Sequence, residues 1–324
     1  MYEDKTIGVI IPAFNEELLL PRTLESMPDF VDQIIVVNDC SKDRTAELAD
    51  QFSQKDARIQ VIHHDVNKGL GQSLIDGYLL SLELKIDVIA IMAGDNQMSP
   101  ADLPRVIGPV ARGEVDYVKG NRLLRDDVIF RMPRHRYLGN AALTLLTKFA
   151  TGYWRIIDPQ CGYTAISRNA LAQIPISEMI KGYGYNAHIL NMLNLNNLKV
   201  KDVEVEPVYG DEQSKIKLRS YIPTVSKLLL RLFFKRMIHK YLVREFHPLV
   251  FIYMFSFVNG VFVATPLFFR VVYKYISLGY LPQTSLILFS FSFTMAFFGL
   301  FFAMWMDMED NRRLSADPDT GTRA

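Results

Sequence analysis

Two stretches of this chain run without a single Asp, Glu, Lys or Arg: residues 248–269, 22 positions, and residues 275–306, 32 positions. A helix rises about 1.5 Å per residue, so about 20 apolar residues cross a hydrocarbon core of roughly 30 Å. Core helices of globular proteins are usually shorter and keep a polar stripe. Thirteen of the 21 Phe residues fall between Phe251 and Phe302, which concentrates the apolar character further. The two runs are expected to be transmembrane helices, and a fully soluble protein is excluded. The connection 270–283 holds only Arg270 and Lys274 as cations, against nine Lys and Arg in 211–247. By the positive-inside bias, both ends of this hairpin and everything before it face the cytoplasm. Residues 1–17 lack the basic flank and long apolar stretch of a signal peptide.

Outside the hairpin the composition is that of a folded domain. With 36 Lys and Arg against 35 Asp and Glu, net charge +1, no basic excess points to nucleic acid, and 49% hydrophobic residues exclude a disordered chain. The two cysteines, Cys40 and Cys161, are too few for a disulfide framework and lack metal-site spacing.

From residue 7 to about 119 short apolar runs alternate with helical patterns. Residues 7–11, 33–37, 59–62, 87–92 and 115–119 read as strands, and 17–27, 43–54, 70–84 and 101–112 as helices. Such alternation predicts a mostly parallel sheet covered on both faces, with ligands beyond the carboxyl ends of the strands. Polar clusters fall there after every strand: Pro12 to Glu16, Asn38 to Asp43, His63 to Gly71, Ala93 to Gln97, and Gly120 to Arg122. Asp39 follows an all-apolar strand, where a carboxylate can accept from a bound ring N–H. Ser41 and Asp43 read equally well as helix caps. Asp95 and Gln97, two apart, would project both oxygens to one side of an extended backbone and suit a hard divalent cation completed by water and phosphates.

The runs V-I-I-P-A-F-N-E-E, V-V-N-D-C-S-K-D-R-T, N-K-G-L-G, A-G-D-N-Q-M-S-P, G-N-R and D-P-Q-C-G-Y occur in that order. This series resembles the family 2 glycosyltransferases of GT-A fold, and within them the dolichyl- or polyprenyl-phosphate sugar synthases. The resemblance implies a Rossmann-like, nucleotide-sugar-binding α/β domain, followed by amphipathic interfacial helices and the two-helix membrane hairpin. It implies a donor site at Pro12, Ala13, Asn15, Glu16, Asp39, Lys68, Gly69 and Lys215, and Mg²⁺ or Mn²⁺ at Asp95 and Gln97. It implies inverting transfer to a polyprenyl phosphate held by Arg122, Arg134, Arg136 and Asn140, with Asp95, Arg122 and Arg136 as the catalytic set. A phosphate monoester is already ionised near neutral pH, so this acceptor needs no general base.

Two positions depart from the family pattern. Ala93 stands where the metal loop usually begins with Asp, and His188 stands where relatives commonly carry an acid; the latter reads as a packed helix histidine. Residues 221–242 interleave Leu, Ile and Phe with Lys227, Arg231, Lys235, Arg236 and Lys240, a membrane-surface pattern. The expected division is a catalytic domain over 1–210, a donor-closing loop and juxtamembrane helices over 211–247, the hairpin over 248–306, and a cytoplasmic tail over 307–324. Asn259 and Gly260 are candidate contacts for a homo-oligomer. Two rival functions remain open at this level. One is transfer to a lipid or glycan hydroxyl with Asp158 as base, although the Gln-x-x-Arg-Trp motif of processive synthases is absent. The other is a non-catalytic nucleotide-sugar-binding scaffold, motivated by Ala93.

Overall fold

A computed structural model describes residues 1–123, 134–182, 184–206 and 218–316, without the side chains of 134–138, 140 and 218–221. The chain forms two units, Met1–Phe233 with Arg313–Ala324, and Phe234–Arg312.

The first unit is built on seven strands: β1 Ile7–Ala13, β2 Gln33–Asn38, β3 Ile59–His63, β4 Val88–Ile91, β5 Tyr117–Asn121, β6 Thr164–Ser167 and β7 Val200–Glu204. They lie in the order β3-β2-β1-β4-β6-β5-β7. Five of these are the expected strands, each within two or three residues of its expected ends. Helices α1 Leu20–Glu25, α2 Thr45–Lys55, α3 Leu70–Glu83 and α4 Leu103–Ala111 form the expected crossovers. Alternate residues of the central strands feed two cores. Ile7, Val9 and Ile11 pack on one face of the sheet with Ile34 and Val36, while Ile10, Ile35 and Val37 pack on the other. Burial on both faces is why these strands read as continuous apolar runs.

The strands not anticipated are β6 and β7. β6 runs antiparallel to β4 and β5, so its starting end lies beside the finishing ends of its neighbours. Seven strands therefore contribute loops to one edge of the sheet.

Two segments outside residues 1–210 pack against the first unit. The helix Leu218–Arg236 belongs in part to the first unit, because Val225, Leu229 and Leu232 pack with Ala150 and Ala187. The segment expected to be a tail returns to the sheet: Leu314 is buried, Ser315 bridges Val200, and the Ala316 N–H donates to the Val200 carbonyl at 3.0 Å.

The second unit opens with a π-helical segment, Met237–Arg244, and continues as two helices long and apolar enough to cross a membrane, Leu249–Leu278 and Gln283–Asp310. The first extends beyond its expected end at 269. Arg270 and Lys274 lie on helical turns, and Gly279, at φ +67°, ends the helix in the left-handed conformation that glycine tolerates best. The two helices pack antiparallel. Asn259 Nδ2 donates to the Ser292 carbonyl at 2.9 Å, Gly260 faces Ala296, and a Cβ on Gly299 would overlap Ser256 Oγ. Asn259 and Gly260 thus make contacts inside the hairpin. Where the hairpin closes, Arg236 and Asp307 are both fully buried and joined by two bonds, Nη1 to Oδ1 at 2.6 Å and Nη2 to Oδ2 at 2.8 Å. The Tyr241 hydroxyl donates to Asp307 Oδ1 at 3.0 Å, and Lys240 Nζ donates to Asn311 Oδ1 at 2.9 Å.

Candidate active site

The loops at the strand ends are fastened to one another by short polar side chains. Asn15, at φ +58°, donates its N–H to Ser41 Oγ at 3.0 Å, and its Oδ1 accepts the Lys42 N–H at 2.8 Å. The Glu16 N–H donates to Thr45 Oγ1 at 2.8 Å, and the Glu17 N–H to Asp43 Oδ2 at 3.2 Å. Ser41 and Asp43 are therefore neither plain caps nor isolated ligands: they clasp the loops after β1 and β2. Burial of the Asp43 carboxyl opposes its ionisation, but bonds from Thr45 and Glu17 outweigh it and hold the pKa below the usual value.

Asp39 is nearly inaccessible, and its two oxygens are already engaged. Oδ1 accepts the Lys68 N–H at 2.7 Å and Oδ2 the Gly69 N–H at 2.8 Å, with His64 Nδ1 2.8 Å from Oδ1. The carboxylate thus organises the Lys68-Gly69 turn instead of standing open to a base. His64 Nε2 lies 2.9 Å from Asp76 Oδ2, completing a chain that the sequence did not announce. The two glycines of N-K-G-L-G have a steric reason. Gly69 adopts φ +87°, and a Cβ on Gly71 would overlap the Ile180 carbonyl oxygen, against which the loop is pinned by the Gly71 N–H to Lys181 carbonyl bond of 2.7 Å. His188 is the packed histidine expected, its Nδ1 accepting the Ile180 N–H at 3.1 Å.

Asp95 and Gln97 follow β4 on a turn, not on the extended backbone expected of them. Asn96 takes φ +55°, and Asp95 Oδ1 accepts the Gln97 N–H at 3.1 Å. The turn packs on the start of β6: Gly162 lies against Met98, and the Tyr163 hydroxyl donates to the Ser99 carbonyl at 3.0 Å. Among the described residues no three His, Cys, Asp or Glu side chains gather as a metal cluster. The donor set on this turn is one carboxylate and one amide, partly exposed. Hard oxygen ligands that leave most positions to water and phosphate fit Mg²⁺ or Mn²⁺.

Across β6 from it, β5 ends at Asn121 and is followed by Arg122. Arg122 grips Asp158 bidentately, Nε to Oδ2 at 2.7 Å and Nη2 to Oδ1 at 3.2 Å. The Asp158 side chain is 6% exposed and that of Arg122 43%, so the anchor is sealed while the arginine is partly exposed. Below them Lys119 is buried, donating to the Cys161 carbonyl at 2.6 Å and Asn186 Oδ1 at 2.8 Å, and burial lowers its pKa to about 8. Burial also raises the Cys161 thiol, reinforced by Asp158, which leaves it a protonated core group. Lys119 did carry a signal in the sequence, as a charged residue inside an expected strand, whereas Asp202 carried none because its strand was not anticipated. Arg134, Arg136 and Asn140 ride on the first turns of the helix Arg134–Thr151, their side chains outside the described part of the structure, and Lys215 lies outside the described residues.

The family model for glycosyl transferase family 2 matches residues 8–174, the stretch that carries all of these strand-end loops except β7. The chain belongs to this family. It is a glycosyltransferase, which removes the non-catalytic scaffold from consideration. Among the relatives of this family 2 chain is a UDP-N-acetylglucosamine–dolichyl-phosphate N-acetylglucosaminyltransferase of Methanococcus voltae, 29% identical over 64% of this chain and 88% of that protein. Another is an undecaprenyl-phosphate mannosyltransferase of Micrococcus luteus, 32% identical over 54% of this chain and 72% of the relative. The fold is that of glucosyl-3-phosphoglycerate synthase from Mycobacterium tuberculosis, solved with Mn²⁺, uridine diphosphate and glucosyl-3-phosphoglycerate. That likeness has a TM-score of 0.55 at 21% identity and covers 72% of this chain and 80% of that one.

Proposed function

We propose that this glycosyltransferase moves a monosaccharide from a nucleotide-sugar to a polyprenyl phosphate, dolichyl or undecaprenyl, by a single inverting displacement at the cytoplasmic face of a membrane. The observation that carries the reading is the Arg122–Asp158 pair: a partly exposed guanidinium gripped bidentately by a sealed carboxylate, at the same edge of the sheet as the Asp95 turn. Arg suits phosphate because its planar fork binds two oxygens at once.

In this reading the base and ribose rest against Pro12, Ala13, Asn15 and Glu16, the Lys68-Gly69 turn and Lys215 lie near the donor phosphates, and Asp39 keeps that turn in shape. Asp95 and Gln97 hold Mg²⁺ or Mn²⁺, which when bound neutralises charge on the departing nucleoside diphosphate. Arg122 and Arg136, assisted by Arg134 and Asn140, bring the lipid phosphate into line. The phosphate oxygen attacks the anomeric carbon, the bond to the diphosphate breaks, and no proton has to be removed. The hydroxyl-acceptor alternative needs Asp158 as a base, and both Asp158 oxygens are occupied by Arg122. The amphipathic helix Leu218–Arg236 fits a membrane-surface position just before two helices of spanning length.

The test is transfer from a panel of nucleotide-sugars to undecaprenyl or dolichyl phosphate with added Mg²⁺ or Mn²⁺, alongside the unphosphorylated polyprenol. Transfer to the phosphate alone is expected. Efficient transfer to the free alcohol overturns the proposal.

A further inference from the structure

Asp202 sits on β7, buried, next to β5 in the sheet and not on the ligand-facing rim. One of its oxygens holds two separate segments. Oδ2 accepts the Asn121 Nδ2–H at 2.8 Å and also the Ile157 N–H at 2.8 Å. The other oxygen, Oδ1, is buried and has no hydrogen-bond partner among the described residues. A buried carboxylate with an unsatisfied oxygen is a costly arrangement that a stable sheet does not require.

Each of the two segments leads to one member of the phosphate-binding pair. Asn121 turns its own Oδ1 to the Leu123 N–H at 2.9 Å, closing a bracket around Arg122. Ile157 immediately precedes Asp158, whose Oδ2 accepts Arg122 Nε. Asp202 Oδ2 thus accepts from the Asn121 side chain on one side of the Arg122–Asp158 contact and from the Ile157 backbone on the other.

We infer that Asp202 is a positioning residue that sets the Arg122 guanidinium for the acceptor phosphate by fixing the Asn121–Leu123 and Ile157–Asp158 segments to a common point. It touches neither substrate. The inference rests on the reading of Arg122 as an acceptor-phosphate group and makes a separate claim. Removing the shared acceptor lets guanidinium and anchor drift together, so binding of the lipid phosphate weakens while binding of the nucleotide-sugar stays as it was.

Two variants separate this role from simple support of the fold. In Asp202→Asn the amide oxygen replaces Oδ2 and accepts from the same two donors, while the amide nitrogen occupies the place of Oδ1. In Asp202→Leu the volume is kept and both bonds are lost. Hydrogen bonds to a charged group contribute about 1.5–3 kcal/mol, so KM for polyprenyl phosphate should rise roughly tenfold or more in Asp202→Leu with donor KM within about twofold of wild type. Asp202→Asn should restore lipid KM to within about threefold of wild type. Equal changes in both KM values, a loss of kcat alone, or no rescue by Asn would overturn the inference. If Asp202→Leu fails to fold, the Asn variant decides: a lipid KM raised about tenfold in a folded Asn protein also overturns it. Arg122→Ala, assayed in parallel, keeps the two claims apart. Normal lipid kinetics in Arg122→Ala would remove the acceptor reading, whereas impaired Arg122→Ala with unaltered Asp202→Leu would remove only the positioning role.

Discussion

At the scale of single residues, the proposed site depends on partly exposed charges held in place by buried partners. Arg122→Ala should lower transfer to polyprenyl phosphate by about tenfold to a hundredfold with little change in donor affinity, since a bidentate charge-assisted contact is lost; Lys at that position should restore only part, lacking the fork. Steady-state kinetics with each substrate varied in turn read this directly. Asp95→Ala removes the carboxylate of the turn and should abolish transfer; undiminished turnover in that variant, or in excess chelator, would refute the metal assignment. Asp202 and Lys119 give the fold a pH dependence of defined sign. Burial lifts the Asp202 carboxyl from its usual 3.8 to about 7. A carboxyl raised in this way favours the folded state fully below its unfolded pKa, and that contribution disappears as pH climbs through about 7. Lys119 is depressed from 10.5 to about 8, so its contribution is complete above 10.5 and is lost as pH falls through about 8. Thermal unfolding followed from pH 4 to 7 should show wild-type stability declining relative to Asp202→Asn. A constant difference across that interval would refute the assignment.

At the scale of elements, loops that touch backbone to backbone leave no room for side chains. Gly71→Ala drives a methyl into the Ile180 carbonyl and should destabilise the fold by about 1–3 kcal/mol while raising donor KM, measurable as a lower Tm and weaker nucleotide binding. The same packing explains how much could be read in advance. Continuous apolar runs such as Ile34 to Val37 can be buried only as central strands, so five strands and four crossover helices followed from pattern alone. β6 escaped notice because Thr164–Ser167 is four residues long and alternates no more clearly than a loop, and β7 because its three charged residues break the apolar signal. Pairing is a tertiary fact: nothing local says that Arg122 will close on Asp158, 36 positions away, or that Asp39 will spend its oxygens on Lys68 and Gly69. The Asp95 turn was misjudged for a related reason, since an Asx bond to Gln97 competes with extended backbone.

At the scale of the whole molecule, the chain leaves its catalytic unit at Phe233 and rejoins it at Arg313, with two helices of spanning length between. Under the proposed topology both ends of the hairpin lie on the cytoplasmic side, and a cysteine placed at Gly279 should then be labelled from outside intact cells while one near Asp95 is not. The hairpin is closed by the buried Arg236–Asp307 pair. Asp307→Ala strands a guanidinium without its counter-charge and should cost roughly 3–5 kcal/mol, whereas the double change Arg236→Met with Asp307→Leu should be much milder. Unfolding in detergent micelles distinguishes the two. The return of Leu314–Ala316 to Val200 also imposes an order on synthesis. Those residues are translated after both apolar helices, so a nascent chain halted before them has a β7 edge still lacking its last partner. The sheet that carries Asp202 is finished only once both long apolar helices have been made, and a complete catalytic unit is evidence that they already exist.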